Sequence, residues 1–99
     1  MTHAKKVILI SASGDIQNRN QLLRELFDDC IELFCAVGND AHDWEDAMSW
    51  IVTMAKVEEG IDHDMPRSMH VDESVDDVVE FARQIEVPSK LDEIEIIRV

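Results

Sequence analysis

The feature that most constrains the fold is an alternation between short, continuous apolar runs and longer segments with helical periodicity. Residues 7–10 and 33–37 are uninterrupted runs of apolar side chains, as expected of strands that are covered on both faces of a sheet. The segment between them and the one that follows repeat apolar residues every three or four positions, as in helices with one buried face. This alternation predicts parallel strands that are joined by helical crossovers.

The pattern continues to the end of the chain and predicts seven elements. The predicted strands are 7–10, 33–37, 67–71 and 93–99, and the predicted helices are about 18–30, from a cap at Asn39 or Asp40 to about 59, and from a cap at Asp72 or Ser74 to about 85. They form a small Rossmann-like three-layer α/β sandwich, β-α-β-α-β-α-β, with a mainly parallel four-stranded sheet. The direction of the last strand stays open. A chain of 99 residues is enough for one α/β domain, which we place at residues 1–99.

The charge of the chain is strongly asymmetric. Residues 1–27 carry four basic and two acidic side chains, a net of +2, whereas residues 28–99 carry five basic and twenty acidic ones, a net of −15, so the chain carries −13. A surface this acidic repels phosphate, which argues against direct binding of nucleic acid. No segment approaches the roughly 20 apolar residues of a membrane span, and the first apolar run is too short for a signal peptide. We therefore expect a cytoplasmic protein with no membrane association.

The sequence contains no recognisable catalytic pair. Ser11, Ser13 and Ser74 have no evident histidine and acid partners in a nucleophile-elbow context. Residues 11–15 include a single glycine and match no phosphate-binding motif. His70 ends a predicted strand, and we expect it to hydrogen-bond the following loop. We therefore expect no enzymatic activity, no cofactor and no resident metal.

A second function stays open at the ends of the strands. In open α/β sheets, ligands bind beyond the carboxyl ends of the strands, where we predict Asp15, Asp40 and His70. Asp15, Asp40 and Asp72 could converge on Mg²⁺, which prefers oxygen ligands. Helix capping explains Asp40 and Asp72 without a metal. The alternative is thus a metal- or small-molecule-binding regulatory domain that uses these loops.

Helix capping and helix dipoles account for only part of the acidity. Six acidic residues close predicted helices or follow them in a loop, where the helix dipole does not favour anions: Asp28, Asp29, Glu58, Glu59, Asp62 and Asp64. They are either a generic solubilising surface or a face that binds a partner.

Trp50 sharpens the second of these interpretations. On a helical wheel Trp44 and Ile51 point to the centre of the apolar stripe, whereas Trp50 lies roughly 100° or more away. It shares that shoulder of the helix with Asp43 and Asp46. Trp50 either packs over a neighbouring element or is an exposed hot spot for a basic protein.

Two segments resemble known proteins. Residues 34–46 contain the pattern Cys-x-x-Gly-x-Asp followed by Trp-Glu, and residues 69–75 contain His-x-x-Glu-Ser. They resemble a family of small, uncharacterised bacterial α/β proteins, which implies a Rossmann-like fold and brings no established activity. In its size and acidity the chain is also similar to immunity proteins of bacterial toxin systems, including contact-dependent growth inhibition. That similarity implies the neutralisation of a basic nuclease toxin by coverage of its active site or a nearby surface.

We therefore predict an immunity protein that binds a cationic toxin, with a nuclease as the expected class. Its carboxylates would mimic the phosphates of the nuclease's substrate and steer association, and a desolvated aromatic side chain would add affinity. The predicted interface comprises Asp43, Asp46, Trp50, Glu58, Glu59, Asp62 and Asp64. A second candidate face comprises Asp72, Glu73, Asp76 and Asp77.

Overall fold

A computed structural model describes residues 3–11 and 19–99. These residues form four strands and three helices in the order β1-α1-β2-α2-β3-α3-β4. The strands are β1 (Lys6–Ile10), β2 (Leu33–Val37), β3 (Arg67–His70) and β4 (Ile94–Arg98), and the helices are α1 (Arg19–Asp28), α2 (Ala41–Glu59) and α3 (Val75–Gln84). The sheet has the order β3-β2-β1-β4, and every neighbouring pair is parallel. The predicted α/β sandwich is confirmed.

The last strand runs parallel to its neighbour. β4 pairs with β1 in a register that places Ile94 beside Lys6 and Arg98 beside Ile10. The crossover through α3 returns the chain to the end of the sheet where β1 begins, so that β4 starts there and runs in the same direction. The strand order reverses between β1 and β4, and α3 lies on the face opposite α1 and α2.

Successive strand residues face different helices, which explains why the strands read as continuous apolar runs. Val7 and Leu9 pack in the core beneath α1 and α2. Ile8 lies on the other face, in a second core that includes Val78 and Ala82 of α3. Because helices cover both faces of β1 and β2, the side chains of these two strands do not alternate between apolar and polar.

α2 is the longest helix, with 19 residues. Trp44, Met48, Ile51 and Ala55 form its buried stripe at helical spacing. Gly60 follows it in a left-handed conformation, with φ of 70°, as is common after the last helical turn. No helix in the described part of the chain, this one included, has the length and apolarity needed to cross a membrane.

The helix ends refine the predicted boundaries. α1 ends at Asp28, two residues early, and Cys30 adopts a left-handed backbone with φ of 59°. Of the two caps predicted for α3, Ser74 is the one used, because its Oγ accepts a hydrogen bond of 3.2 Å from the backbone N–H of Asp77. Asp40 occupies the N-cap position of α2 but makes no capping bond with its side chain.

Gly38, which follows β2, lies in close contact with the residue that follows β1. Its φ is +130°, and a Cβ at this position would lie 2.4 Å from the carbonyl oxygen of Ser11. The backbone N–H of Ser11 donates to Val37, and that of Gly38 donates to His70. The ends of β1, β2 and β3 are therefore held together, and they bring Asp40 within reach of Ser11.

Candidate functional site

Trp50 is exposed on the outer side of α2. Its exposed fraction is 63%, whereas Trp44, six residues earlier, is 1% exposed. Six helical residues span about 600°, so the two indoles point to different sides of the helix. Of the two predicted environments for Trp50, the structure shows the exposed one.

A shallow groove of about 540 Å³ runs beside Trp50. Asp43, Asp46 and Ala47 of α2 line it on one side. Arg19 and Asn20, at the start of α1, line it on the other. The contribution of α1 was not predicted, because nothing in the local sequence pattern shows which helix lies beside α2.

The apolar part of this surface extends along α2 beyond Trp50. Val57 lies seven residues further on, on the same side of the helix, and is 74% exposed. Val57 was not predicted either, although its spacing of seven residues from Trp50 places both side chains on one side of a helix. We name the set Asn20, Asp43, Asp46, Trp50 and Val57 the Trp50 surface.

The two acids of the Trp50 surface have few cationic partners among the described residues. Among the described residues, Asp43 has no cationic side chain within salt-bridge distance. In the described part of the chain, Asp46 has one salt-bridge contact, with the imidazole of His42, at 3.1 Å between Oδ2 and Nε2. Arg19, the cationic residue that lines the groove, places its guanidinium over Trp44, 5.9 Å from the ring centroid. The surface therefore presents an exposed indole next to negative charge.

The predicted acids at the other end of α2 behave differently, since most of them have cationic partners in this chain. Glu59 accepts two hydrogen bonds from Arg24, at 2.6 and 2.8 Å, and Arg24 also donates to Asp28 at 2.9 Å. The Arg24 guanidinium holds the pKa of Glu59 below its usual range. Asp62 lies 3.8 Å from Lys56, whereas Glu58 has no such partner among the described residues.

Asp64 is likewise paired, on the β3 side of α2. Burial opposes its ionisation, yet the hydrogen bond and charge of Arg67 leave the pKa of Asp64 lower than usual. Arg67 also lies 3.5 Å from Glu45. Together, Glu59, Asp62 and Asp64 with their partners Arg24, Lys56 and Arg67 form what we name the paired cluster. Three of the four acids predicted here thus have a local explanation that the sequence analysis did not find.

The second predicted face belongs to α3 and its preceding loop. Asp76 and Asp77 lie in the first turn of α3, where the helix dipole favours anions. Glu73 accepts a hydrogen bond from the His70 imidazole, with 2.7 Å between Oε2 and Nδ1, which confirms the predicted contact of His70 with the following loop. Because α3 lies on the opposite side of the sheet from α2, Asp76 and Asp77 lie across the sheet from the Trp50 surface, whereas Asp72 and Glu73 lie in the loop between β3 and α3.

The strand-end loops hold their polar groups in internal hydrogen bonds. The carboxylate of Asp40 accepts from Ser11 Oγ at 2.8 Å and from Trp44 Nε1 at 3.3 Å. Asp15 lies outside the described residues. Within the described ranges, the one group of three side chains placed to hold a metal is His42, Glu45 and Asp46. The predicted convergence of Asp15, Asp40 and Asp72 includes a residue outside the described ranges and therefore stays a prediction.

A hydroxyl–imidazole–carboxylate chain on β3 was also missed. Ser68 Oγ lies 2.8 Å from His70 Nε2, and the opposite ring nitrogen of His70 contacts Glu73. The signal was the Ser-x-His spacing, which places both side chains on one face of a strand. Ser68 lies inside a paired strand beside Cys35, rather than on the exposed turn from which a serine nucleophile acts. We infer that these contacts hold the end of β3 in place.

Comparison with curated proteins and with solved structures finds no match to this chain. A family model described as DUF7684, a domain of unknown function, matches residues 1–97. That match covers the first six elements of the fold, all of β4 except Arg98, and every residue of the Trp50 surface. The chain therefore belongs to the DUF7684 family.

Proposed function

We propose that the chain is a non-enzymatic binding protein that neutralises a cationic toxin, with a nuclease as the expected class, by docking it on the Trp50 surface. The observation that carries this proposal is the 63% exposure of Trp50 beside Asp43 and Asp46. Tryptophan is enriched among the residues that dominate binding energy, particularly where a polar rim surrounds it. The arrangement supports a protein ligand of opposite charge.

The exposed indole offers a substantial apolar contribution to binding. At about 25 cal/mol per Å² and a side-chain area of about 150–250 Å², burial of the exposed part of Trp50 is worth on the order of 2–4 kcal/mol. Val57 extends the same apolar strip along α2. A partner that covers both side chains gains affinity from apolar contact in addition to charge.

The charge of the chain determines which partners suit this surface. A second copy of the chain would bring another −13 and would be repelled, and a nucleic acid would be repelled for the same reason. A basic protein is attracted over long range and associates faster. If that protein cleaves nucleic acid, the carboxylates of Asp43 and Asp46 match the phosphate-binding cations of its active site.

Ion pairs within the chain narrow the predicted interface. Glu59 and Asp64 already neutralise Arg24 and Arg67, so that a partner would have to compete with these internal contacts. We therefore place the centre of the interface on the Trp50 surface and add Glu58, the one acid predicted at the other end of α2 that has no cationic partner among the described residues.

Affinity purification followed by reconstitution tests this proposal. The tagged wild-type chain is used to isolate a partner from its native host, and the partner is then purified and titrated with the chain while its nuclease or other toxic activity is measured. We expect a basic protein whose activity falls to zero at one chain per partner. Trp50→Ala should require a large excess of chain for the same inhibition.

A charge-reversal variant on α3, across the sheet from Trp50, controls for the effects of net charge and of folding on inhibition. Asp76→Lys with Asp77→Lys changes four charge units on α3 and should leave inhibition nearly unchanged at physiological salt, because these residues lie across the sheet from Trp50. An acidic partner, or a basic one that Trp50→Ala inhibits as well as the wild type does, would overturn the proposal.

A further inference from the structure

We propose that the free edge of β3 is a docking site for an extended, basic segment of another protein, which adds a fifth strand to the sheet. In the described part of the chain, β3 lies at one end of the strand order and pairs with β2 alone. An edge strand presents backbone N–H and C=O groups with which an extended chain can pair. The site is separate from the Trp50 surface, because α1 rather than β3 lies beside the groove at Trp50.

The backbone hydrogen bonds show which groups of β3 point outward. The carbonyls of Pro66 and His70 accept from the backbone N–H groups of β2 and of the residue that follows it. In a trans peptide the C=O of one residue and the N–H of the next point in opposite directions. The N–H groups of Arg67 and Val71 therefore point away from the sheet, and that of Met69 lies between them in the same phase. An added strand thus meets donors at three alternate positions.

Apolar side chains flank this edge on both faces of the sheet. Met69 is 47% exposed on the α2 face, where its sulfur lies 3.3 Å from Nδ1 of His42. Phe81 of α3 is 37% exposed on the other face, and its ring lies 5.1 Å from that of His70 between centroids. Val71, just beyond the strand, is also exposed. Side chains of an added strand alternate between the two faces and contact Met69 on one and Phe81 on the other.

The charge beside the edge suits a basic occupant. Four acids lie between the end of β3 and the first turn of α3: Asp72, Glu73, Asp76 and Asp77. Among the described residues, none of the four lies within salt-bridge distance of a lysine or arginine, and Glu73 contacts the imidazole of His70. Asp77 lies one helical turn before Phe81 on the same side of α3, so the negative charge adjoins the apolar patch.

The same charge disfavours a second copy of the chain as the occupant. Arg67, the one arginine or lysine of β3, contacts Glu45 and Asp64, so its charge is already compensated. Two copies that met along this edge would place like charges side by side. A segment rich in lysine or arginine is attracted instead.

Fluorescence anisotropy with synthetic peptides tests this proposal. The probe is a labelled heptapeptide of alternating lysine and valine with blocked termini, and we expect it to bind the wild-type chain. A peptide with glutamate in place of lysine should bind at least about tenfold more weakly, because it meets like charge. The lysine–valine peptide with a methyl group on every backbone nitrogen keeps its charge but loses its N–H donors. It should also bind at least about tenfold more weakly, because main-chain hydrogen bonds supply the affinity of an added strand.

Two variants of Met69 locate the peptide on the chain. Met69→Pro removes the central outward N–H, and proline is tolerated on an edge strand where its nitrogen faces away from the sheet. Binding should weaken at least about tenfold, since the proline ring also blocks close approach of the added strand. Met69→Leu is the matched control, because it keeps the N–H and a side chain of similar size, and its affinity should stay within a few-fold of the wild type.

Hydrogen exchange of the wild-type chain gives the same information without any substitution. Exchange of the Met69 N–H should slow when the lysine–valine peptide is present, and circular dichroism shows whether Met69→Pro is folded. The proposal is overturned if the wild type does not bind this peptide at millimolar concentration. Equal binding of the methylated peptide, or unchanged exchange at Met69, would overturn it as well, since either result means attraction by charge without strand pairing.

Discussion

The two ends of α2 are both acidic, but within residues 3–11 and 19–99 cationic side chains pair with the acids of only one end. In the paired cluster, Glu59 accepts two hydrogen bonds from Arg24. On the Trp50 surface, Asp43 has no cationic neighbour among the described residues, and Asp46 has only His42. The paired end ties α1 to the end of α2, whereas the other end leaves charge and an indole facing solvent.

Acids that pair with a cation of the same chain contribute to the stability of the fold, whereas acids without such a pair are available to bind a partner. An internal arginine lowers the pKa of Glu59 and competes with any external cation. The electrostatic field of an acid without such a partner remains available to attract an approaching cationic molecule. The two regions therefore predict opposite responses to mutation: loss of stability at one end and loss of binding at the other.

The largest expected effect is on binding, from Trp50→Ala. Loss of a central aromatic hot spot costs at least about 2 kcal/mol, which corresponds to roughly 30-fold in Kd. Stability should change by less than about 0.5 kcal/mol, because the side chain is mostly exposed. Calorimetric titration of the purified partner and urea unfolding of the free variant measure the two quantities. A variant that loses stability as well would place Trp50 in the fold rather than in the interface.

Charge reversal at the two ends of α2 should change the rate of association with the partner to different extents. Asp43→Lys and Asp62→Lys each change the net charge by +2, but Asp43 lies on the Trp50 surface and Asp62 lies in the paired cluster. We expect Asp43→Lys to lower the association rate constant about tenfold at low salt and to flatten its salt dependence. Stopped-flow association at several salt concentrations measures it. Equal rates for the two variants would mean that only total charge matters.

A smaller effect is expected on stability from Glu59→Gln. This change weakens the contact with Arg24, so the urea midpoint should fall, and the fall should shrink at high salt because the pair is exposed. Glu58→Gln is the matched control, since it removes the same charge from the neighbouring residue. Its midpoint should hold steady or rise slightly. A larger loss from Glu58→Gln would contradict the assignment of the paired cluster.

The smallest effect comes from His3, which neutralises a third group of acids. Its imidazole contacts Glu95 at 2.8 Å and lies 3.6 and 3.7 Å from Asp29 and Glu25. The hydrogen bond with Glu95 outweighs burial and raises the pKa of His3 above its ordinary value of 6.5. The folded state therefore binds this proton more tightly than the unfolded state does.

The stability from His3 is fully present below pH 6.5 and is lost as the pH rises through the higher pKa of the folded state. Urea unfolding of the wild type at pH 6 and pH 8.5 should show this loss. His3→Gln should reduce the difference between the two pH values. If the variant keeps the full difference, another group is responsible.

Much of the fold was predictable because its signals are local. The apolar runs of β1 and β2 lie within one residue of their predicted bounds, and α2 ends at Glu59 as predicted. The helical wheel also separates Trp50 from Trp44, so the sequence predicts that the two indoles lie on different sides of α2. It does not predict whether Trp50 is packed or exposed, because that depends on where α1 begins beside α2.

By itself, the sequence determined the α/β class, the order of the elements and the excess of negative charge, since periodicity and composition do not depend on distant contacts. Only the tertiary structure decided which acids are neutralised. Arg24 and Glu59 lie 35 positions apart and meet only because α1 and α2 pack side by side on one face of the sheet. Charges interact through space, so the fold alone decides which carboxylates remain available to a partner.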